Sequence, residues 1–202
     1  MKKLTLTFCF HCCLFLIGNN KLNAQKTITI GTQIWMAEDL EVTNFKNGDP
    51  INNDHESWEQ FGINGNPAMI PPHYYNWFVV GDKRGVCPQG FRIPNNADWN
   101  KLINHLGGRE IAGRKLKNTD ELWSNDEGST GLGDNSSGFG ADPDTYYDAN
   151  GFYGDAERNK YYWSRNEENG FAYAFRISGL DDEVDLNLNS KESGYCIRCI
   201  KQ

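Results

Sequence analysis

Basic side chains are few in this chain: 20 Lys and Arg stand against 27 Asp and Glu, for a net charge of −7. An acidic surface repels the phosphate backbone, so no nucleic-acid partner is expected. Histidine is rarer still, with 4 in 202 residues. Beyond residue 24 only His55, His73 and His105 occur, and none stands in a recognisable Ser, His and acid arrangement. No catalytic base is assigned, and the chain is read as non-catalytic. After Ile17 no apolar run approaches the ~20 residues that a membrane span needs, so no integral membrane segment is expected in the mature chain. Of 6 cysteines, Cys9, Cys12 and Cys13 sit near the start, which leaves Cys87, Cys196 and Cys199. One Cys-x-x-Cys pair has no second pair to complete a zinc site, although Cys87 and a histidine could supply ligands. Internal repeats and heptads are absent too.

The first 24 residues contain a basic start at Lys2 and Lys3, an apolar stretch over 4–17, and a small residue at Ala24. Residues 1–24 are therefore expected to be a secretory signal peptide, cut after Ala24. Cleavage removes three lysines and no acid, taking the net charge from −7 to −10. Residues 25–202 suit one domain. Export, whether to the periplasm, the cell surface or the extracellular space, permits a disulfide, and three cysteines leave one over. Cys196 and Cys199 lie an odd number of positions apart on what reads as a strand, so they face opposite ways. The expected bridge is Cys87 to Cys199. Redox use of Cys196 and Cys199 is disfavoured, because reactive pairs of that spacing sit at a helix N-terminus.

The chain is organised around residues 87–108. Pro94 disfavours helical geometry at Ile93, Asn95 is a good N-cap, and Asp98 can reach back to it. Trp99, Leu102, Ile103 and Leu106 then fall on one helical face, and Gly107-Gly108 ends the helix. Upstream, residues 27–30 and 33–36 alternate around Gly31-Thr32 as a first hairpin. Residues 41–72 carry repeated turn signals and read as a loop-rich excursion across the surface. Residues 73–80 read as an aromatic strand, and 111–117 as a short helix or packed turn. In the last third, alternation over 161–164, 171–177, 184–188 and 195–200 predicts antiparallel strands.

Candidate site residues cluster in the irregular stretch 124–155, and loops of that length in a compact domain are commonly functional. Asp142, Asp144, Asp148 and Asn150 supply the hard oxygen ligands that calcium prefers, and calcium is the one cofactor considered. Their spacing is not that of an EF-hand, and a solvated, turn-rich loop is the plainer reading. Tyr146, Tyr147, Phe152 and Tyr153 are the aromatics best placed to stack on a sugar face, with internal packing as their competing role. Trp35, Trp77, Trp99 and Trp163 sit in periodic patterns and are expected in the core. His105 is expected to face solvent, and Asp181, Asp182 and Glu183 to form a plain solvated turn.

Several short motifs agree in order with a known family. They are Ile-Gly-Thr-Gln-Ile-Trp-Met-Ala-Glu-Asp-Leu at 30–40, Tyr75-Asn76-Trp77, and Cys-Pro-Gln-Gly-Phe-Arg-Ile-Pro at 87–94 with Trp99. Ala-Gly-Arg-Lys-Leu-Lys at 112–117, Asn-Ser-Ser-Gly-Phe at 135–139, Tyr162-Trp163-Ser164 and Tyr-Cys-Ile-Arg-Cys at 195–199 complete the set. From residue 28 to the end the chain resembles the Fibrobacter succinogenes major paralogous domain. Cys196 stands where that family more often has serine, and 142–147 is more acidic than its usual Pro-Gly-Gly segment.

The resemblance implies an α+β fold of the C-type-lectin-like superfamily, with one main amphipathic helix packed on small antiparallel sheets and long irregular loops. That superfamily includes the formylglycine-generating enzymes. Their copper-binding cysteine pair cannot be carried onto Cys196 and Cys199, which belong to a different motif. The expected function is an exported, non-catalytic surface or envelope module that binds carbohydrate or another surface protein. The competing readings are an enzyme on the same scaffold, with its site in the 134–155 loop, and a purely structural envelope protein.

Overall fold

A computed structural model describes residues 25–51, 74–119, 123, 132–143 and 159–202. Strand β1 (Thr27–Ile30) and strand β2 (Gln33–Met36) pair as an antiparallel hairpin with Ile30 opposite Gln33. The last strand, β7 (Ile200–Lys201), lies between β2 and β3 (Phe91–Arg92), which gives a sheet of order β1-β2-β7-β3. A second antiparallel sheet holds β4 (Asn159–Glu168), β5 (Phe171–Ser178) and β6 (Val184–Asn189) in that order. Asn169 and Gly170 turn β4 into β5 with φ of 50° and 86°, the left-handed pair that a two-residue hairpin loop requires. The architecture is mixed α+β.

Strand alternation places the second sheet between two hydrophobic cores. Tyr162 and its registered partner Phe175 point with Ile177 and Val184 into a core that holds Trp35, Trp99, Trp123 and Phe139. The next pair, Trp163 and Ala174, faces the other way, into a core with Met36, Leu40, Trp77, Tyr195 and Cys199. Neighbours Trp35 and Met36 on β2 divide between the two cores in the same manner.

Between the sheets the chain forms helices for local reasons. Asn76 caps α1 (Trp77–Gly81), and α2 (Asn96–Leu106) and α3 (Ala112–Leu116) follow. At the start of α2 the Asn95 side chain accepts from the Asp98 N–H at 3.0 Å, and the Asp98 carboxylate accepts from the Asn95 N–H at 2.8 Å. That reciprocal pair satisfies two amides with no helical partner, and removing such a cap typically costs about 1 kcal/mol. Asp98 also holds Arg92 of β3 through contacts of 2.6 and 2.9 Å, so the cap fastens sheet to helix. Trp99, Leu102, Ile103 and Leu106 are all buried, at roughly 1.5–3 kcal/mol each. Gly107, with φ 106°, closes the helix in the left-handed conformation.

Three expectations need correction. The aromatic run expected as a strand over 73–80 is not one across its described residues, 74–80: among them only Tyr75 pairs, in a bridge with Tyr195, and Asn76 then accepts from the Val79 N–H to start α1. A capping side chain with Trp77 and Val80 buried one turn apart outweighs the β propensity of the segment. The terminal segment 195–200 is not one strand either. It changes partners along its length: Tyr195 bridges Tyr75, Cys196 bridges Tyr162, and the Ile197 and Cys199 carbonyls accept from the Leu40 and Met36 amides at 2.8 and 2.9 Å. Finally, the 181–183 turn is more than a solvated loop, because the Asp181 and Asp182 carbonyls accept from buried Lys117 and from the Gly113 amide. A Cβ at Gly113 would come within 2.6 Å of the Asp182 carbonyl, so the close approach of turn and helix requires glycine there.

Candidate functional site

The terminal segment is fastened by covalent and ionic means. Cys87, just before the turn into β3, is bridged to Cys199 with a Cα–Cα distance of 5.9 Å. Both lie in the second core, whereas Cys196 packs in the first. The neighbouring Arg198 is also buried. Its Nε and Nη2 reach Asp39 Oδ1 at 2.6 and 2.5 Å, and its Nη1 donates to the Phe139 carbonyl at 2.8 Å. Lys160 of β4 reaches the other Asp39 oxygen at 2.8 Å. Burial by itself would raise the Asp39 pKa, but the Arg198 and Lys160 charges and hydrogen bonds prevail and hold it at about 2. The same environment pushes the buried Tyr162 phenol up, chiefly through desolvation, against the attraction of Arg198. This cluster joins the segment after β2, strand β4 and the chain's end.

Sequence reasoning missed the cluster. A single charged residue inside an apolar alternation, Arg198 between Ile197 and Cys199, was the available signal. Its partner gave no such signal, because Asp39 is one of three acids at 38–41 and nothing in the sequence sets it apart from Glu38 and Glu41.

The predicted site residues divide by position. Asp142 is described, and its Oδ1 accepts from Asn118 Nδ2 at 2.9 Å. Asp144, Asp148 and Asn150 of the calcium set, and the aromatics Tyr146, Tyr147, Phe152 and Tyr153, lie outside the described residues. So do His55, His73, residues 52–72 of the excursion and the expected signal peptide. Among the described residues no group of three or more His, Cys, Asp or Glu side chains is placed to hold a metal ion. His105 is exposed at the end of α2.

A surface not singled out in the sequence lies at the hairpin end of the second sheet. Phe175 is fully buried against Trp99, the two rings stacked at 4.4 Å. Two and four residues earlier on β5, Tyr173 and Phe171 share its side of the strand by alternation. Tyr173 lies opposite Leu188 of β6, and Phe171 opposite Glu168 of β4. Phe171 is 50% and Leu188 42% exposed. The Tyr173 hydroxyl donates to Glu168 Oε2 at 2.6 Å, which pushes the phenol pKa up. The result is a short aromatic and aliphatic strip beside an oriented carboxylate.

Two small antiparallel sheets, a capped tryptophan helix and a bridge from the turn to the chain's end define a disulfide-stapled α+β domain. The chain belongs to the Fibrobacter succinogenes major domain family, whose family model matches residues 28–201. No curated protein and no solved structure matches it. Among the described residues no helix is long and apolar enough to cross a membrane.

Proposed function

We propose that the chain is an exported, non-catalytic binding module on a C-type-lectin-like scaffold, holding carbohydrate or another surface protein. The observation that carries this reading is the strip of exposed Phe171 and Leu188 beside partly buried Tyr173 on a strongly braced sheet. Apolar side chains contiguous on a surface cost solvation, and such patches on soluble domains mark contact sites. Bracing matters because a preformed surface loses little conformational entropy on binding. The second sheet has a core on each face, and the Asp39 cluster ties β4 to the chain's end. Calcium at Asp142, Asp144, Asp148 and Asn150 remains part of the proposal as an accessory ligand.

A glycan array probed with the folded protein, with and without calcium, tests it. Binding to a defined set of glycans is the expected result. Silence in both conditions from protein of verified fold favours the purely structural reading. Chemical turnover of an arrayed glycan favours an enzyme.

A further inference from the structure

The sheet face that packs on α2 outruns the helix. Pro94 and the Asn95 cap fix where α2 begins, and the Asn96 N–H is held by Asn166 Oδ1 at 2.8 Å. Ser164 donates to Asn96 Oδ1 at 2.6 Å, so the helix start is pinned to the bulged part of β4. β5 and β6 pair past that point, from Ile177 opposite Val184 to Ala172 opposite Asn189. The same face thus passes from Phe175, fully buried under Trp99, to half-exposed Phe171. On a strand, alternate side chains sit about 6.8 Å apart, so the Phe171 and Tyr173 rings form two successive steps.

We infer that Phe171 and Tyr173 form a carbohydrate-stacking platform, with Glu168 accepting hydrogen bonds from sugar hydroxyls and Leu188 flanking it. The inference rests on the binding-module reading and names its ligand class and its place. Three features select a sugar. The exposed strip consists of a few side chains, far short of the roughly 800 Å² per partner that a specific protein contact uses, so a second copy or a folded partner gains too little there. A pyranose ring, in contrast, has an apolar C–H face about the size of one aromatic ring and hydroxyls at its edge. The Glu168 carboxylate is held in place by the Tyr173 hydroxyl beside those rings, and charge-assisted bonds to such an acceptor are the stronger kind. The adjacent Glu167 is already engaged by Lys191, which limits the local negative field and leaves little to recruit a polycation. The mode needs no metal.

The test is a titration of the full chain with cellohexaose, xylohexaose, mannohexaose and, separately, hexalysine, followed by the NMR signals of the Phe171 and Tyr173 rings. At least one hexasaccharide is expected to shift those signals saturably, equally at low and high salt and with or without EDTA. Phe171→Ala, at a half-exposed site, is expected to weaken that binding by about tenfold or more while leaving the melting transition in place. The pair Tyr146→Ala and Tyr147→Ala is expected to leave it unchanged. No shift with any of the three sugars overturns the platform, as does binding that survives Phe171→Ala. A response to hexalysine alone, lost at high salt, also overturns it and points to a cationic partner. Sugar binding that follows Tyr146, Tyr147 or calcium instead overturns the platform and leaves the binding-module reading standing.

Discussion

Lys117 leaves α3 with its side chain fully buried, its ammonium donating to the Asp181 carbonyl at 2.5 Å and lying 5.1 Å from the Trp123 ring. Burial disfavours the ammonium more than the charges of Asp182 and Asp181 favour it, so the pKa falls from 10.5 to about 8. The unfolded chain regains the ordinary value. Between about pH 8 and 10.5 the unfolded state therefore holds a proton that the native state has released, and this group's contribution to stability rises with pH across that window. Below pH 8 both states carry the charge, and the native state bears the cost of burying it. Lys117→Met keeps much of the stem without the charge. Urea midpoints of the wild type are expected to gain on those of Lys117→Met as pH climbs from about 8 to 10.5. Parallel pH profiles for the two proteins would show that Lys117 titrates alike in both states. The residue bridges Ala141, so its protonation bears on how the 132–143 loop is anchored.

At the scale of elements, the hairpin β1–β2 and helix α2 could be read directly because their signals are local. Alternation over four residues, or a cap followed by apolar positions at i, i+3 and i+4, needs no distant partner. The 73–80 run misled because its composition favours a strand, and only the single capping residue Asn76 argues for a helix. The Asp39 cluster was not legible at all: Asp39 and Arg198 are 159 positions apart, and their meeting depends on three elements already being in place. Its consequences are correspondingly non-local. Asp39→Asn leaves Lys160 and Arg198 as two buried cations without their shared anion, and breaking a buried pair in this way typically costs about 3–5 kcal/mol. The acid limb has a definite sign as well. With a native pKa of about 2 against an ordinary 3.8, the Asp39 contribution is fully present above about pH 4 and is lost as pH falls through about 2. Asp39→Asn should therefore be destabilised at neutral pH and lack that acid-limb step. An unchanged urea midpoint at neutral pH would mean that the three elements hold together without the charges.

For the whole molecule, what matters is that the last eight residues cross between two cores. Period-two reasoning separated Cys196 from Cys199, and the structure places the first in the Trp99 core and the second with Cys87 in the Trp77 core, although the segment is not a regular strand. The site was less legible than this frame. The aromatics selected from composition lie outside the described residues, and the exposure of Phe171 depends on where a helix some 70 residues earlier begins, a point fixed by Pro94 and the Asn95 cap. The staple makes the clearest whole-molecule prediction. A bridge between residues 112 apart restricts most of the unfolded chain, which in the chain-entropy estimate is worth up to about 4.7 kcal/mol. The double variant Cys87→Ala, Cys199→Ala is expected to lose stability of that order yet unfold in one transition, because Arg198 and Asp39 still bind the chain's end beside the missing bridge. Non-reducing peptide maps of the native protein should link Cys87 to Cys199. Cys196, 1% exposed in the other core, should react with iodoacetamide only after unfolding. A map that links Cys87 to Cys196, or alkylation of Cys196 in native buffer, would mean that the terminal segment does not divide its cysteines between the two cores.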